Sequence, residues 1–212
     1  PISIAPFAHC ANGGIWINEH GETGVPGLFA AGEAAGGIHG ADRHGGAATS
    51  VCLVFGHRVA ERAADYVKRH PAGSLSPYLA LRSMQSWLDN GSTSSLAPQE
   101  ILTELRQSLW YYANVLRSER NLGRVLDWVK DARTRYNAAR AIESGGDVKL
   151  CMKAFHALRT SEALLQAMLC RRESRGPHYR ADFPEKDESL YGKRVVAEEQ
   201  NGIKTRYLPS RV

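Results

Sequence analysis

A glycine-rich stretch at residues 27–46, GLFAAGEAAGGIHGADRHGG, constrains this chain more than any other part of its sequence. Glycine loses more conformational freedom on folding than any other residue, so such density is kept where a left-handed backbone or the close approach of a ligand requires it. A few polar side chains, among them Glu33 and Arg43, stand between these glycines. The stretch therefore predicts a loop whose bare backbone cradles a ligand.

Charge and cysteine content exclude several classes of protein. The net charge of +5 is spread along the 212 residues, which argues against nucleic-acid binding and favours small anionic substrates or an acidic partner. No apolar run approaches the roughly 20 residues that a membrane-spanning helix needs. The four cysteines form no C-x-x-C pair, so we expect reduced thiols in a cytoplasmic protein without a metal site. They are Cys10, Cys52, Cys151 and Cys170.

Residues 1–70 predict a small α/β unit. Ile2, Ile4 and residues 14–17 suggest short strands that form a β-meander through the turn formers at 18–24. The apolar run Leu28–Ala31 between glycines is typical of a strand buried on both faces. Apolar residues at helical spacing then predict an amphipathic helix over 48–69.

The remaining residues predict a helical domain and a tail. Residues 71–97 are rich in Pro, Ser and Gly and are interpreted as a linker with a short amphipathic stretch at 78–88. Residues 98–170 predict a three-helix bundle, with Pro98 opening the first helix and Asp147 capping the third. In the tail, residues 171–212, the Gln200-Asn201-Gly202 sequence between extended runs predicts a β-hairpin. The predicted fold class is thus α/β plus α.

Four stretches in register resemble the flavoprotein family of fumarate reductase, succinate dehydrogenase and L-aspartate oxidase. They are residues 27–46, PFAHCANGGI at 6–15, CLVFGHRVAERAA at 52–64 and RRESRGPHYRADFPEKDE at 171–188. The resemblance implies that residues 1–70 are the C-terminal segment of a Rossmann-like FAD-binding domain and that FAD is the cofactor.

The same resemblance implies the cofactor-binding residues. Glu33, at the end of a strand, corresponds to the residue that holds the ribityl or ribose part of FAD. Gly36 and Gly37 would let the main chain pass close to the isoalloxazine ring. The backbone N–H groups of Ala48 and Thr49, at a helix N-terminus, would face the negative charge of a reduced flavin. The chain departs from its relatives here, because they usually carry Asn-Ser where it carries alanines at 47 and 48.

The implied substrate site depends on Arg43 and His9. A guanidinium can bind a carboxylate through two parallel hydrogen bonds, and the resemblance implies that Arg43 anchors a dicarboxylate over the flavin. His9 resembles the histidine that hydrogen-bonds a substrate carboxylate. Asp42 and His44 replace the Asn and Leu that are usual in relatives, so the second carboxylate, or the substrate itself, can differ. No residue of the chain is assigned as catalytic.

Elements that the family needs are absent from the sequence. No G-x-G-x-x-G follows a strand, and no capping domain is found. We therefore expect a C-terminal portion of a longer or split flavoprotein, which shares FAD with an N-terminal half and is inactive and a weak FAD binder on its own. Arg175 in the tail is expected to pair with a carboxylate or main-chain carbonyls and not to touch substrate.

Three functional hypotheses follow. The first is hydride transfer between flavin and a dicarboxylate such as succinate or fumarate. The second is amino-acid oxidation of the L-aspartate oxidase kind. The third is a non-catalytic module that docks an iron–sulfur subunit or the missing flavin half, which would also explain any association with a membrane. The electron donor, the flavin attachment and the oligomeric state stay open.

Overall fold

A computed structural model describes residues 2, 9–71, 76–93, 96–199 and 202–209. Two short strands, β1 and β2, precede six helices, α1 to α6, and a hairpin of β3 and β4 ends the described chain. One-turn 3₁₀ helices occur at Gly32–Ala34 and Glu188–Leu190. The strands and helices, in chain order, are β1 (Ile15–Trp16), β2 (Ala35–Gly36), α1 (Ala47–Arg69), α2 (Pro77–Leu88), α3 (Pro98–Tyr112), α4 (Glu119–Arg135), α5 (Ala138–Glu143), α6 (Val148–Cys170), β3 (Lys193–Glu199) and β4 (Ile203–Pro209).

The main core lies among α3, α4 and α6, as the apolar periodicity of these segments predicts. Pro98 occupies the first turn of α3, and the Asp147 carboxylate caps α6 by accepting a hydrogen bond from the Leu150 N–H at 2.7 Å. Leu88, at the end of α2, is buried in the same core, so the predicted linker contains a helix that packs on the bundle. The largest fully buried apolar side chains of the described residues are Ile101, Leu122, Val125, Val129, Leu158 and Leu165.

Helix α5 is not predicted by the sequence. Its N-cap is Asn137, whose side-chain oxygen accepts from the Arg140 N–H at 3.1 Å. Asn137 is fully buried and its amide also donates to Asp89 Oδ1 at 2.6 Å and to the Ser92 carbonyl at 3.1 Å. Long-range polar contacts therefore define where this short helix begins.

The predicted hairpin is confirmed. Strands β3 and β4 pair antiparallel, with Val195 opposite Tyr207 and Glu199 opposite Ile203. The Tyr207 hydroxyl donates to the Cys170 carbonyl at 2.8 Å, which fixes the hairpin to the end of α6. Gln200 and Asn201 at the turn lie outside the described residues.

The glycine-rich unit differs from its prediction in two respects. β1 pairs parallel with β2, Ile15 opposite Ala35, so the predicted meander is wrong for the described residues; Ile4 lies outside them. Leu28–Ala31 is not a continuous strand, because only Phe29 pairs, in a single antiparallel bridge with Glu22, and Leu28 is 48% exposed. A strand buried on both faces belongs to a sheet that is covered on both sides, whereas the described residues give Phe29 only a single bridge and leave Leu28 exposed.

The predicted amphipathic helix is confirmed as α1. None of its side chains is fully buried, and Leu53 is 70% exposed. Within the described ranges, no helix combines the length and the apolar character that crossing a bilayer would need.

Candidate functional site

The dipeptide Ala11-Asn12 joins two of the predicted site segments. The Ala11 N–H donates to Glu33 Oε1 at 2.8 Å, and Asn12 Nδ2 donates to Asp42 Oδ1 at 3.3 Å. Glu33 stands in the one-turn helix that begins at Gly32, and its side chain is exposed. Residues 11–12 therefore lie between the Glu33 carboxylate and the turn that carries Arg43.

The turn of Arg43 is fixed by the residue before it. The Arg43 backbone N–H donates to the Asp42 carboxylate at 2.8 Å, so the same Oδ1 atom binds both Asn12 and the Arg43 backbone. The Arg43 side chain is half-buried, and its guanidinium makes no hydrogen bond or ion pair with any residue that the structure describes. His9 is exposed and lies two residues before Ala11. The structure thus places His9, Glu33 and Arg43 on neighbouring segments.

Gly36 and Gly37 are glycines for different reasons, the close approach of another backbone at Gly36 and a left-handed conformation at Gly37. A Cβ at Gly36 would lie 2.7 Å from the Gly14 carbonyl oxygen, so these two backbones touch where β1 and β2 meet. Gly37 has φ of 91°, and a Cβ there would overlap the guanidinium of Arg194. That guanidinium also lies 4.9 Å from the centre of the Trp16 ring. The predicted contact of the two glycines with a flavin stays a prediction.

The N-terminus of α1 has a free backbone donor. Gly46 takes the left-handed conformation at the N-cap, with φ of 82°. The Thr49 N–H donates to the Gly46 carbonyl at 3.3 Å, whereas the Ala48 N–H has no partner among the residues described. The positive end of the helix macrodipole adds to the field at this point. Ala48 is therefore better suited than Thr49 to donate to an anionic ligand.

A buried ion cluster organises the first part of the tail. The carboxylate of Glu173 has no exposed surface; it pairs with Arg171 at 2.5 Å and Arg175 at 3.0 Å, and accepts from the Asp187 N–H at 3.0 Å. Burial favours the neutral acid, but the hydrogen bonds from Arg175, Asp187 and Arg171 outweigh it and hold the pKa of Glu173 below its ordinary value. The prediction that Arg175 pairs with a carboxylate or main-chain carbonyls is confirmed, since it binds Glu173 and also donates to the Asp187 carbonyl at 3.2 Å.

The ion cluster leads into a tight turn, residues 175–178. The Arg175 N–H donates to the His178 carbonyl at 2.9 Å, and the reverse hydrogen bond measures 3.2 Å. His178 Nδ1 accepts from Arg117 at 2.9 Å and Nε2 donates to the Arg171 carbonyl at 3.1 Å, which requires a neutral ring. Burial, together with the charges of the neighbouring arginines, lowers the pKa of His178.

Three contacts of the candidate site, made by Asn12, Arg194 and Gly176, were not predicted from the sequence. The Asn12 amide and the Arg194 guanidinium carried no recognisable signal. Gly176 carried one, since it belongs to a stretch that resembles the family, but its contact with Ala41 is visible only in the structure. No group of three or more His, Cys, Asp or Glu side chains suited to a metal ion occurs in the part of the chain that is described.

Comparisons with known proteins identify the family of this chain. Residues 102–212, slightly more than half of the chain, match the family model described as the fumarate reductase flavoprotein C-terminal region, and residues 1–49 match an FAD-binding domain. A fumarate reductase (CoM/CoB) subunit from Methanothermobacter marburgensis is 34% identical over 192 residues, which cover 87% of this chain and 34% of that protein. The L-aspartate oxidase of Streptomyces coelicolor is 31% identical over 202 residues, 92% of this chain and 34% of the relative.

The fold also matches a solved structure. A variant of E. coli quinol fumarate reductase superposes with a TM-score of 0.73 at 22% identity, over 94% of this chain and 36% of that chain. The chain thus spans about a third of the length of the curated relatives it matches. The predicted fold class, the resemblance and FAD as the cofactor are confirmed. The chain belongs to the fumarate reductase flavoprotein family, a family of FAD-dependent oxidoreductases.

Proposed function

We propose that the complete protein transfers hydride between FAD and a dicarboxylate of the succinate or fumarate kind, and that this chain supplies the carboxylate-binding side of the site. The observation that carries the proposal is the pair of hydrogen bonds from residues 11–12, one to Glu33 and one to Asp42. These bonds hold the segment of His9 beside the turn of Arg43 and beside a candidate cofactor ligand.

The residues present fit part of an FAD site. Glu33 Oε2 has no hydrogen-bond partner among the described residues and can accept from a ribityl or ribose hydroxyl. The Ala48 N–H at the positive end of α1, to which no described residue is bonded, can donate to an anionic oxygen. The cofactor supplies the hydride chemistry, while these residues hold and orient it.

Arg43 is the proposed carboxylate anchor. Its half-buried guanidinium, which has no partner among the described residues, can donate two parallel hydrogen bonds to a carboxylate. A charge-assisted bond contributes about 1.5–3 kcal/mol. His9, on the adjoining segment, is the proposed second carboxylate ligand. Lysine could supply the charge of Arg43 but not the forked geometry.

Steady-state kinetics of Arg43→Lys in the full-length protein test this proposal. The loss of one charge-assisted bond predicts a decrease of roughly 10- to 100-fold in kcat/KM for fumarate reduction. Arg58→Lys is the matched control, because Arg58 is exposed on α1 and donates to the Glu19 carbonyl at 3.1 Å, away from the Arg43 turn. Near-normal kinetics of the Arg43 variant would count against the assignment.

Oxidation of L-aspartate is a second candidate for the same site. The L-aspartate oxidase of Streptomyces coelicolor matches as much of the chain as the fumarate reductase relative does, and L-aspartate is also a dicarboxylate. Asp42 lies next to Arg43, where its negative charge would suit an ammonium group better than a second carboxylate. Turnover of fumarate with reduced flavin, compared with turnover of L-aspartate, separates the two.

Docking of another chain segment is a further proposal. Exposed apolar residues on α1 and α2, such as Leu53 and Leu79, support a covering partner, either the N-terminal flavin half or an iron–sulfur subunit. Self-association of the isolated chain in light scattering is the expected result, and a monodisperse monomer would contradict it.

A further inference from the structure

The tight turn at residues 175–178 touches the backbone that leads into Arg43. Gly176 has φ of 57°, and a Cβ at this position would lie 2.6 Å from the Ala41 carbonyl oxygen and 3.3 Å from the Asp42 Cβ atom. The closest contact is between two backbones, so neither side can make room by turning a side chain. Any side chain larger than hydrogen at 176 must displace Ala41 and Asp42.

The turn is held from both of its ends and cannot easily move away. At one end, the Arg175 guanidinium binds the buried Glu173 carboxylate and the Asp187 carbonyl. At the other end, the His178 ring binds Arg117 and the Arg171 carbonyl. Arg117 follows α3 and Arg171 follows α6, so the turn is fixed to the helical core.

The loop on the other side of this contact has few supports of its own. The Asp42 carboxylate accepts from Asn12 at 3.3 Å and from the Arg43 backbone N–H at 2.8 Å, so the support of Arg43 runs through Asp42; the Arg43 side chain has no partner among the described residues. The backbone position of Arg43 therefore depends on the contact of Ala41 and Asp42 with Gly176. We propose that Gly176 is a positioning residue for Arg43: its contact sets where the guanidinium stands toward a substrate carboxylate. This inference depends on the proposed function of Arg43.

The test compares two glycine substitutions in the same tail. Gly176→Ala adds a methyl group against Ala41, whereas Gly192→Ala adds one at an equally left-handed position, φ of 67°, with no other atom within 4 Å. Both variants carry similar backbone strain, and only the first displaces the loop. Binding of malonate, an unreactive dicarboxylate, to the full-length FAD-loaded protein is measured by the change in flavin absorbance.

We expect the dissociation constant for malonate to rise about tenfold in Gly176→Ala, as weakening of one charge-assisted bond implies, and to stay within about twofold in Gly192→Ala. In a protein that already carries Arg43→Lys, Gly176→Ala should add little further loss, because the group it positions is gone. Amide hydrogen exchange of residues 38–46 should become faster in Gly176→Ala only.

The possible failures are distinguishable. If the wild-type protein does not bind malonate, the proposed function fails, and the role of Gly176 toward substrate fails with it. If the wild type binds malonate and Gly176→Ala binds equally well, or if Gly192→Ala weakens binding as much, only the positioning role is overturned. Should Gly176→Ala not fold, Pro177→Gly replaces it in the test, since this substitution loosens the turn without adding an atom. Unchanged amide hydrogen exchange at residues 38–46 together with unchanged malonate binding in Pro177→Gly overturns the inference.

Discussion

Glu173→Gln removes one negative charge from a site without exposed surface while nearly preserving the shape of the side chain. In the native chain this carboxylate pairs with Arg171 at 2.5 Å and Arg175 at 3.0 Å, and accepts from the Asp187 N–H at 3.0 Å. The amide keeps one acceptor oxygen, replaces the other by an NH2 donor, and leaves two guanidinium groups facing a neutral partner. The substitution therefore tests whether the ion cluster holds the tail.

The expected loss of unfolding free energy is about 3 kcal/mol, the lower end of the range for removing one partner of a buried ion pair. Glu188→Gln is the matched control, because Glu188 pairs with the same Arg175 at 3.6 Å but its side chain is 76% exposed. An exposed pair contributes at most about 1 kcal/mol. The two variants should thus differ by about 2 kcal/mol.

Urea unfolding at pH 7, followed by tryptophan fluorescence, measures both variants against the wild type. The pKa of Glu173 is depressed in the folded chain, so its stabilisation is complete above the unfolded value of about 4.3 and is lost as the pH falls through the folded pKa. The difference between the wild type and Glu173→Gln should therefore shrink below about pH 4. Coincident midpoints for the two variants at pH 7, or a gap that does not change on acidification, would refute the reasoning.

Two further substitutions test other parts of the structure. Because the pKa of His178 is lowered, its contribution to stability is complete above the unfolded value of about 6.5 and declines as the pH falls toward the folded pKa. His178→Gln should lose this part of the pH dependence of the melting temperature between about pH 7.5 and 5. Identical pH dependence in the variant and the wild type would contradict a buried neutral ring. Asp147→Ala removes the acceptor of the Leu150 N–H and should lower the unfolding free energy, measured in urea, by about 1 kcal/mol. The control Asp127→Ala, on the exposed face of α4, should change that free energy by less than about 0.5 kcal/mol. Equal effects of the two substitutions would argue against the cap.

The helices and the hairpin were predictable because their signals are local. Pro98 and Asp147 mark helix starts within a few residues of the apolar periodicity that they open. Helix α5 was not predictable, since its cap, Asn137, depends on contacts with Asp89 and Ser92 far along the chain. Leu28–Ala31 shows the opposite error: its composition indicates a buried strand, but composition carries no information on which neighbours pair with it.

The candidate site was predictable as a set of residues but not as an arrangement. The glycine-rich motif places Glu33 and Arg43 in one segment, and the resemblance adds His9. What joins them is the hydrogen bonding of residues 11–12 and the approach of Gly176, and both are tertiary contacts between segments without a shared local pattern. The roles of these residues toward flavin and substrate stay predictions.

The contact between Gly176 and Ala41 has a consequence for biosynthesis. The ribosome releases the loop of Ala41 long before it makes the turn that supports it, and closing a long chain segment carries a larger entropic cost than forming local contacts. The helices between them can assemble first, because their contacts are closer in sequence. Translation that stops after α6 would thus yield a chain with a formed helical core whose Ala41 loop still lacks its contact with Gly176.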